Sequence, residues 1–219
     1  MSVILLIAIG VLAGVSLTGF LSMRRRRELL ARFAFPGHIA GRVQAVYPHL
    51  SAADCAVVMD GLRQFLAVAL AARGGRVAMP SQAVDVAWHE FILSTRDYQD
   101  FCRRVLGRFL HHTPAEALTG GWIRKAVRVE GLRRAWALAC RSEGLDPKRA
   151  ARLPLLFAID GRLAIPGGFI YALDCKAGGV AAGGAVTYCA ADLAPVDGGC
   201  TGGSCLGDGG GDGGGCGGD

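Results

Sequence analysis

The pattern of hydrophobic and polar positions changes twice along the chain and divides it into three parts. Residues 2–23 are all uncharged. Between residue 24 and about residue 173, apolar positions recur every three or four residues, which is the period of an amphipathic helix. From residue 177 onward apolar positions become sparse, and Gly, Cys and Asp dominate. The pattern predicts a mainly α-helical protein: an apolar N-terminal helix, a compact helical bundle domain and a disordered tail.

The apolar N-terminal stretch is long enough to predict a single transmembrane helix over residues 1–23. At 1.5 Å per residue it extends about 33 Å, against a hydrocarbon core of roughly 30 Å. Arg24, Arg25, Arg26 and Arg27 follow it directly, and such a cluster stays on the cytoplasmic side and determines the topology. We therefore expect a single-pass protein of the inner (cytoplasmic) membrane, with its N-terminus outside and the bulk of the chain in the cytoplasm.

Local signals divide the remaining chain into a basic juxtamembrane helix (24–35), a helical domain (36–173) and the tail (174–219). Ser51 and Asp54 have the spacing of a capping box, and Ser81 is placed as the N-cap of a later helix. Thr95 begins a further helix or continues that one with a bend, and a long helix is expected from about residue 121 to 141.

One segment of the domain has two interpretations. Residues 153–166 contain two apolar runs on either side of Asp160-Gly161, a pair that is typical of a hairpin turn. The alternation of apolar and polar residues is poor, however, and a short helix followed by a docked loop fits equally well. The sequence leaves this choice open.

Charged residues are distributed unevenly along the chain, and this distribution indicates which partners the protein binds. Residues 1–173 carry 23 Lys and Arg against 12 Asp and Glu, whereas residues 174–219 carry 1 against 6. Beside the expected bilayer, the basic domain predicts contact with anionic lipid head groups. Its aromatic residues lie on apolar stripes, which argues against nucleic acid. Gly10 and Gly14 form a small-xxx-small pair through which a homodimer could pack; an unknown protein partner is also expected.

Candidate chemistry is concentrated in a short part of the domain. Asp85 and His89 are four residues apart and share a helix face, so the carboxylate can orient the imidazole. If the chain folds back, His89 could meet other metal-ligating side chains, and imidazole with thiol or carboxylate is a ligand set for zinc or another transition metal. The candidate metal ligands are His89, Cys102, His111 and His112.

The alternative interpretation is that these residues have structural roles and bind no metal. His89 could be a half-buried histidine bonded to Asp85, Cys102 could pack as a small hydrophobic residue, and His111 with His112 could interact with a helix C-terminus. No serine or cysteine lies beside a base as an activated nucleophile would. We therefore assign no catalytic residue and no organic cofactor, and the sequence leans away from an enzyme.

The tail is the second place for metal chemistry. It holds about half of the 33 glycines, and five of the eight cysteines lie in or beside it: Cys175, Cys189, Cys200, Cys205 and Cys216. A cytoplasmic location keeps thiols reduced, so disulfides are not expected. The spacing between Cys200 and Cys205 is wider than in a zinc knuckle, so structural zinc in the tail is disfavoured.

The stretch around the candidate ligands resembles a known family. Residues 83–93 read AVDVAWHEFIL and residues 107–114 read GRFLHHTP, and the tail has Gly runs punctuated by Cys. These motifs are similar to the bacterial glycine-rich domain-containing proteins, which are related to plant glycine-rich-domain proteins. The resemblance implies little about activity, because the family is largely uncharacterised. Many relatives have a second histidine where this chain has Phe91, and this departure removes one potential ligand.

Two functions follow from these observations. The first is a membrane-anchored binding or scaffold module whose cytoplasmic helical domain presents the flexible Gly/Cys tail to partners. The second is a metal-binding or metal-dependent protein that uses His89, Cys102, His111 and His112.

Overall fold

The computed structural model describes residues 3–112, 121–173 and 187–195, with side chains in the first helix from Ile9 onward. The described part is mainly helical, as the hydrophobic pattern predicts. It contains seven α-helices: α1 (Val3–Arg32), α2 (His38–Val46), α3 (Ala52–Ala71), α4 (Gln82–Leu93), α5 (Thr95–Phe101), α6 (Gly121–Ser142) and α7 (Leu155–Arg162). A π-helix, Cys102–Leu106, directly follows α5.

The N-terminal helix differs from the predicted membrane span. α1 is continuous from Val3 to Arg32, so most of the predicted juxtamembrane helix is its C-terminal part. No helix in the described part of the chain is long and apolar enough to cross a membrane. The predictions of a transmembrane helix and of a single-pass inner-membrane protein are therefore wrong.

The four arginines that we expected to determine membrane topology instead make contacts within the protein or with solvent. Arg24 pairs with Glu28 one helical turn later, at 3.1 Å. Arg26 donates to the carbonyl oxygen of Leu106 at the end of the π-helix. The contact of Arg26 fixes the C-terminal half of α1 on the domain, whereas the Arg24–Glu28 pair lies within the helix, and Arg25 and Arg27 add basic charge there.

Arg63 on α3 holds the chain where α1 ends. Its guanidinium donates to the carbonyl oxygens of Leu30 and Phe33, the latter at 2.9 Å. It also lies 4.9 Å from the centre of the Phe35 ring. The last carbonyl groups of a helix lack partners within the helix, so one cation satisfies two acceptors and docks α1 against the core.

α3 lies at the centre of the bundle and packs against α2, α4, α6 and α7. The predicted capping box is confirmed: the Asp54 amide donates to Ser51 Oγ, and the Ser51 amide donates to the Asp54 carboxylate at 3.0 Å. Hydrogen bonds from Ser51 lower the pKa of Asp54. The helix then buries apolar side chains on several sides, including Val58, Leu62 and Phe65.

Two short strands follow the helices. β1 (Ile170–Ala172) pairs in parallel with β2 (Thr187–Cys189), with Tyr171 opposite Tyr188. A 3-10 helix, Ala190–Leu193, follows β2 and buries Ala190 and Leu193. Two elements therefore lie inside the range that we expect to be disordered. The other tail cysteines, Cys175, Cys200, Cys205 and Cys216, lie outside the described residues.

The ambiguous segment 153–166 contains a helix and not a hairpin. α7 begins directly after Pro154, whose fixed φ suits the first residues of a helix. Leu156, Phe157 and Ile159 of α7 are buried in the core, and Asp160 is 1% exposed. The pair Asp160-Gly161 therefore lies within the last turn of a helix and forms no hairpin turn.

Asp160 joins three elements through its buried carboxylate. One oxygen accepts from Ser81 Oγ at 2.6 Å, and the other accepts from the amides of Gln82 and Phe169, at 2.7 and 2.9 Å. Ser81, the predicted N-cap of α4, in turn accepts from the amide of Val84. The carboxylate thus satisfies N-terminal amides of α4 and links α4 to α7 and to the residue before β1.

We expect Asp160→Asn to lower the free energy of unfolding by roughly 2–4 kcal/mol, because an amide NH2 group then faces buried donors that need an acceptor. The measurement is urea denaturation monitored by circular dichroism. Asp146→Asn is the matched control, because Asp146 is exposed and accepts one local amide hydrogen bond from Lys148. Equal stability losses in the two variants would contradict this role of Asp160.

Glu143 makes the corresponding connection between α6 and α7. Its carboxylate accepts from the amide of Leu155 at 2.6 Å and from the side chain of Gln64 at 2.7 Å, and it pairs with Arg152. Burial alone would raise the pKa of Glu143, but the hydrogen bonds from Leu155, Gln64 and Arg152 and the charge of Arg152 outweigh burial, so the pKa is lowered.

Because its pKa in the folded protein lies below the ordinary value of 4.5, ionised Glu143 stabilises the fold above pH 4.5, and this contribution is lost as the pH falls through the lowered pKa. We expect Glu143→Gln to be less stable than the wild type at pH 7 and the difference to shrink below pH 4.5. The measurement is the free energy of unfolding at a series of pH values. A difference that stays constant with pH would contradict the assignment.

Candidate functional site

Two of the candidate residues lie on α4, whose start is set by Ser81 and Asp160. Asp85 and His89 face the same side of the helix, as their spacing predicts. The side chain of Asp85 is 27% exposed and that of His89 is 48% exposed. His89 Nδ1 lies 3.0 Å from the backbone carbonyl oxygen of Asp85 and 3.4 Å from its carboxylate. The carboxylate and the ring are therefore available to a group in solvent.

The third residue is brought in by the segment after the π-helix. Gly107 has a φ of +70°, which side chains rarely adopt, and this residue turns the chain back toward α4. The hydroxyl of Tyr98 donates to the carbonyl oxygen of Leu110, and Trp88 Nε1 donates to the Tyr98 hydroxyl at 3.3 Å. These bonds fix the segment over α4 two residues before His112.

Asp85, His89 and His112 form a compact cluster. His112 Nε2 lies 3.1 Å from the Asp85 carboxylate, and the two imidazole centres are 4.0 Å apart. The Trp88 ring lies 4.7 Å from that of His112 and limits its orientation. One ligand atom from each of the three residues lies within 4.8 Å of the other two. Ligands of a tetrahedral zinc ion are about 3.3 Å apart, so a small contraction of the cluster would bind one ion.

The remaining candidate ligands lie elsewhere. His111 is exposed, and its ring lies tilted against that of Phe109, with the ring centres 4.9 Å apart. Cys102 is 1% exposed, and burial raises the pKa of its thiol. Of the predicted ligands, the structure thus brings together His89 and His112, and it adds Asp85, which the sequence suggested only as an orienting group.

The buried thiols of the domain are poor metal ligands. Burial raises the pKa of Cys55, and it raises the pKa of Cys140 to about 11. Metals bind the thiolate, so a raised pKa disfavours coordination near neutral pH. These cysteines therefore contribute to packing in the core.

The cluster lies in the wall of an open pocket with a volume of about 800 Å³. The pocket lies between α4, α6, residues 74–79 and residues 108–112. Gly131 allows α6 to come close to residues 74–79, because a Cβ at this position would be only 3.1 Å from the backbone nitrogen of Ala78. Phe65 and Trp88 supply apolar surface beside the cluster. A small molecule could therefore reach an ion bound by the cluster.

Residues 25–193 match the family described as UCP032817-like. The chain belongs to this family. The match includes the whole helical domain, with the cluster and the pocket. No curated protein and no solved structure matches the chain. The UCP032817-like match does not bear on the resemblance to glycine-rich domain-containing proteins, which stays a prediction.

Three arginines also line the pocket in this member of the UCP032817-like family: Arg76, Arg108 and Arg128. Sequence reasoning missed them, because they come from three separate segments and count along the chain only as general basic charge. The signal in the sequence is weak: Arg108 lies close to the two histidines, whereas nothing marks the other two. Only the folded chain brings their charge to one pocket.

Tyr98 is a positioning residue for the cluster. We expect Tyr98→Phe to remain folded, to lose about 1–2 kcal/mol of stability and to expose the amides of residues 109–112 to faster hydrogen exchange, because the Leu110 carbonyl loses its buried donor. The measurement is hydrogen exchange followed by mass spectrometry. Tyr47→Phe is the control: this tyrosine is 9% exposed, and its hydroxyl makes no hydrogen bond within the described residues. Equal exchange in both variants would exclude the role of Tyr98.

Proposed function

We propose that the protein binds a divalent transition metal ion, with Zn²⁺ as the preferred ion, through Asp85, His89 and His112. The observation that supports this proposal is the convergence of two imidazoles and one carboxylate at the wall of an open pocket. Two histidines and one carboxylate are a known ligand set of zinc sites that perform chemistry. An ion bound by three protein ligands keeps a further position for water or a substrate.

The surroundings of the cluster favour a ligand role over simple hydrogen bonding. A bond donated by His89 Nδ1 to the Asp85 carbonyl oxygen leaves the lone pair of Nε2 available, and such a contact commonly orients a metal-binding histidine. Trp88 packs against His112. In a purely structural cluster, the Asp85 carboxylate would accept hydrogen bonds from both imidazoles. The His89 side chain is 48% exposed, however, so its contact with Asp85 would add little to the stability of the fold.

The position of the ion in the pocket supports a metal-dependent function over a structural one. Structural zinc sites are usually closed by four protein ligands, whereas this cluster offers three and faces the pocket. An ion there would act as a Lewis acid toward a bound molecule. The scaffold function does not gain similar support, because residues 196–219 of the tail lie outside the described part of the chain.

The test compares two neighbouring histidines in the full chain. The protein is purified under reducing conditions, loaded with Zn²⁺, dialysed and analysed for metal by mass spectrometry. We expect about one ion per chain in the wild type and in His111→Ala. In His112→Ala we expect the affinity for the ion to fall at least tenfold, because of these two neighbouring histidines His112 belongs to the cluster and His111 does not. Equal metal content in His112→Ala and the wild type would refute the proposed site.

A second control separates the cluster from the tail cysteines. In the full chain, Cys200, Cys205 and Cys216 are replaced together by Ser. We expect this variant to keep its ion and to gain thermal stability on Zn²⁺ addition, as a ligand that binds only the folded state must produce. Loss of the ion in this variant, with retention in His112→Ala, would place the metal in the tail instead.

A further inference from the structure

The arginines of the pocket have no carboxylate partner among the described residues, unlike several arginines elsewhere in the domain. Arg42, Arg103, Arg104, Arg134 and Arg152 each have a carboxylate within ion-pair distance. Arg76, Arg108 and Arg128 form no ion pair with a carboxylate among the described residues. Among the described residues, Asp85 is the one acidic side chain in the lining of the pocket, and it belongs to the proposed metal site. The pocket therefore carries an excess of positive charge before any ion is bound.

Two of these arginines are held at the pocket by the fold. Arg108 is half-buried and donates to the carbonyl oxygen of Ala69, at the end of α3, at 3.2 Å. One such bond uses one of five N–H donors, so the guanidinium keeps several for a ligand. Arg128 on α6 is half-buried, and its guanidinium lies 5.8 Å from the centre of the Phe169 ring. This contact restrains the cation without neutralising it.

We propose that the pocket binds a small molecule that carries an oxyanion, a carboxylate or a phosphate, between these arginines and the metal ion. Guanidinium groups match the planar geometry of two anionic oxygens and form charge-assisted hydrogen bonds with them. The inference rests on the proposed metal site only for the part of the ligand that meets the ion. The arginines alone attract the same ligand to the metal-free protein.

The shape of the site limits the ligand to a small molecule. The pocket volume of about 800 Å³ lies within the range of sites for small ligands, and its apolar surface includes Phe65, Trp88 and Phe109. The aromatic side chains can contact the remainder of a ligand whose oxyanion is held by arginine. Phenyl phosphate and benzoate combine both features and are therefore suitable probes for the two kinds of oxyanion.

The test measures the binding of phenyl phosphate and of benzoate to the full chain by calorimetry, with Zn²⁺ and again with a chelator present. We expect Arg128→Gln to weaken the binding of the preferred probe about tenfold in both conditions, since one charge-assisted contact is lost. Arg141→Gln is the matched control. Arg141 lies on the same helix, is exposed and lies outside the pocket lining, so binding should remain within a factor of about two.

The outcomes separate this inference from the proposed metal function. Binding of either probe that depends on Arg128 supports the inference and identifies the oxyanion, even if the protein binds no metal. Tighter binding with Zn²⁺ than with chelator, lost in His112→Ala, supports both proposals. Binding of neither probe, or equal weakening in Arg128→Gln and Arg141→Gln, would overturn the inference. Circular dichroism of each variant confirms folding, and if Arg128→Gln does not fold, Arg76→Gln at exposed Arg76 replaces it.

Discussion

The buried carboxylate of Asp160 is the constraint on which the arrangement of the site depends. A helix N-terminus inside a protein carries amides that need acceptors, and the start of α4 obtains them from Ser81 and Asp160. Because Asp160 also accepts from Phe169, the same group fixes α7 and the chain before β1 relative to α4. α4 carries Asp85 and His89, and Phe169 lines the pocket. The Asp160 carboxylate therefore sets the positions of two proposed metal ligands, Asp85 and His89, and of the part of the pocket wall that contains Phe169.

The sequence predicts the local features of this protein well. Ser51 with Asp54 and Ser81 mark helix starts that the structure confirms, because a capping interaction involves residues three apart. The shared face of Asp85 and His89 follows from the helical period in the same way. The hairpin alternative at Asp160 shows the limit: the pair Asp160-Gly161 is typical of a turn, but burial of Leu156, Phe157 and Ile159 against the core stabilises a helix.

Long-range contacts decide what the sequence left open at the site. Nothing in the local pattern distinguishes His111 from His112. The choice depends on Gly107, on the π-helix before it and on the hydrogen bond from Tyr98 to Leu110. A π-helix inserts one extra residue per turn, which rotates all residues that follow, and such insertions are frequent at functional sites. The membrane prediction, which rested on the uncharged stretch and the arginines that follow it, is wrong, since no helix in the described ranges is long and apolar enough to cross a membrane.

The metal ion and the oxyanion in the proposed site would stabilise each other. With one carboxylate and two neutral imidazoles as ligands, a divalent ion retains a net charge of about +1, which adds to the charge of three arginines. Placing so many cations in one pocket is unfavourable unless an anion balances them. By linkage, a ligand that tightens metal binding is itself bound more tightly by the metal-loaded protein, and the two factors are equal. A pocket with excess positive charge therefore binds the metal ion more tightly when its anionic ligand is present, which couples occupancy of the ion to availability of that ligand.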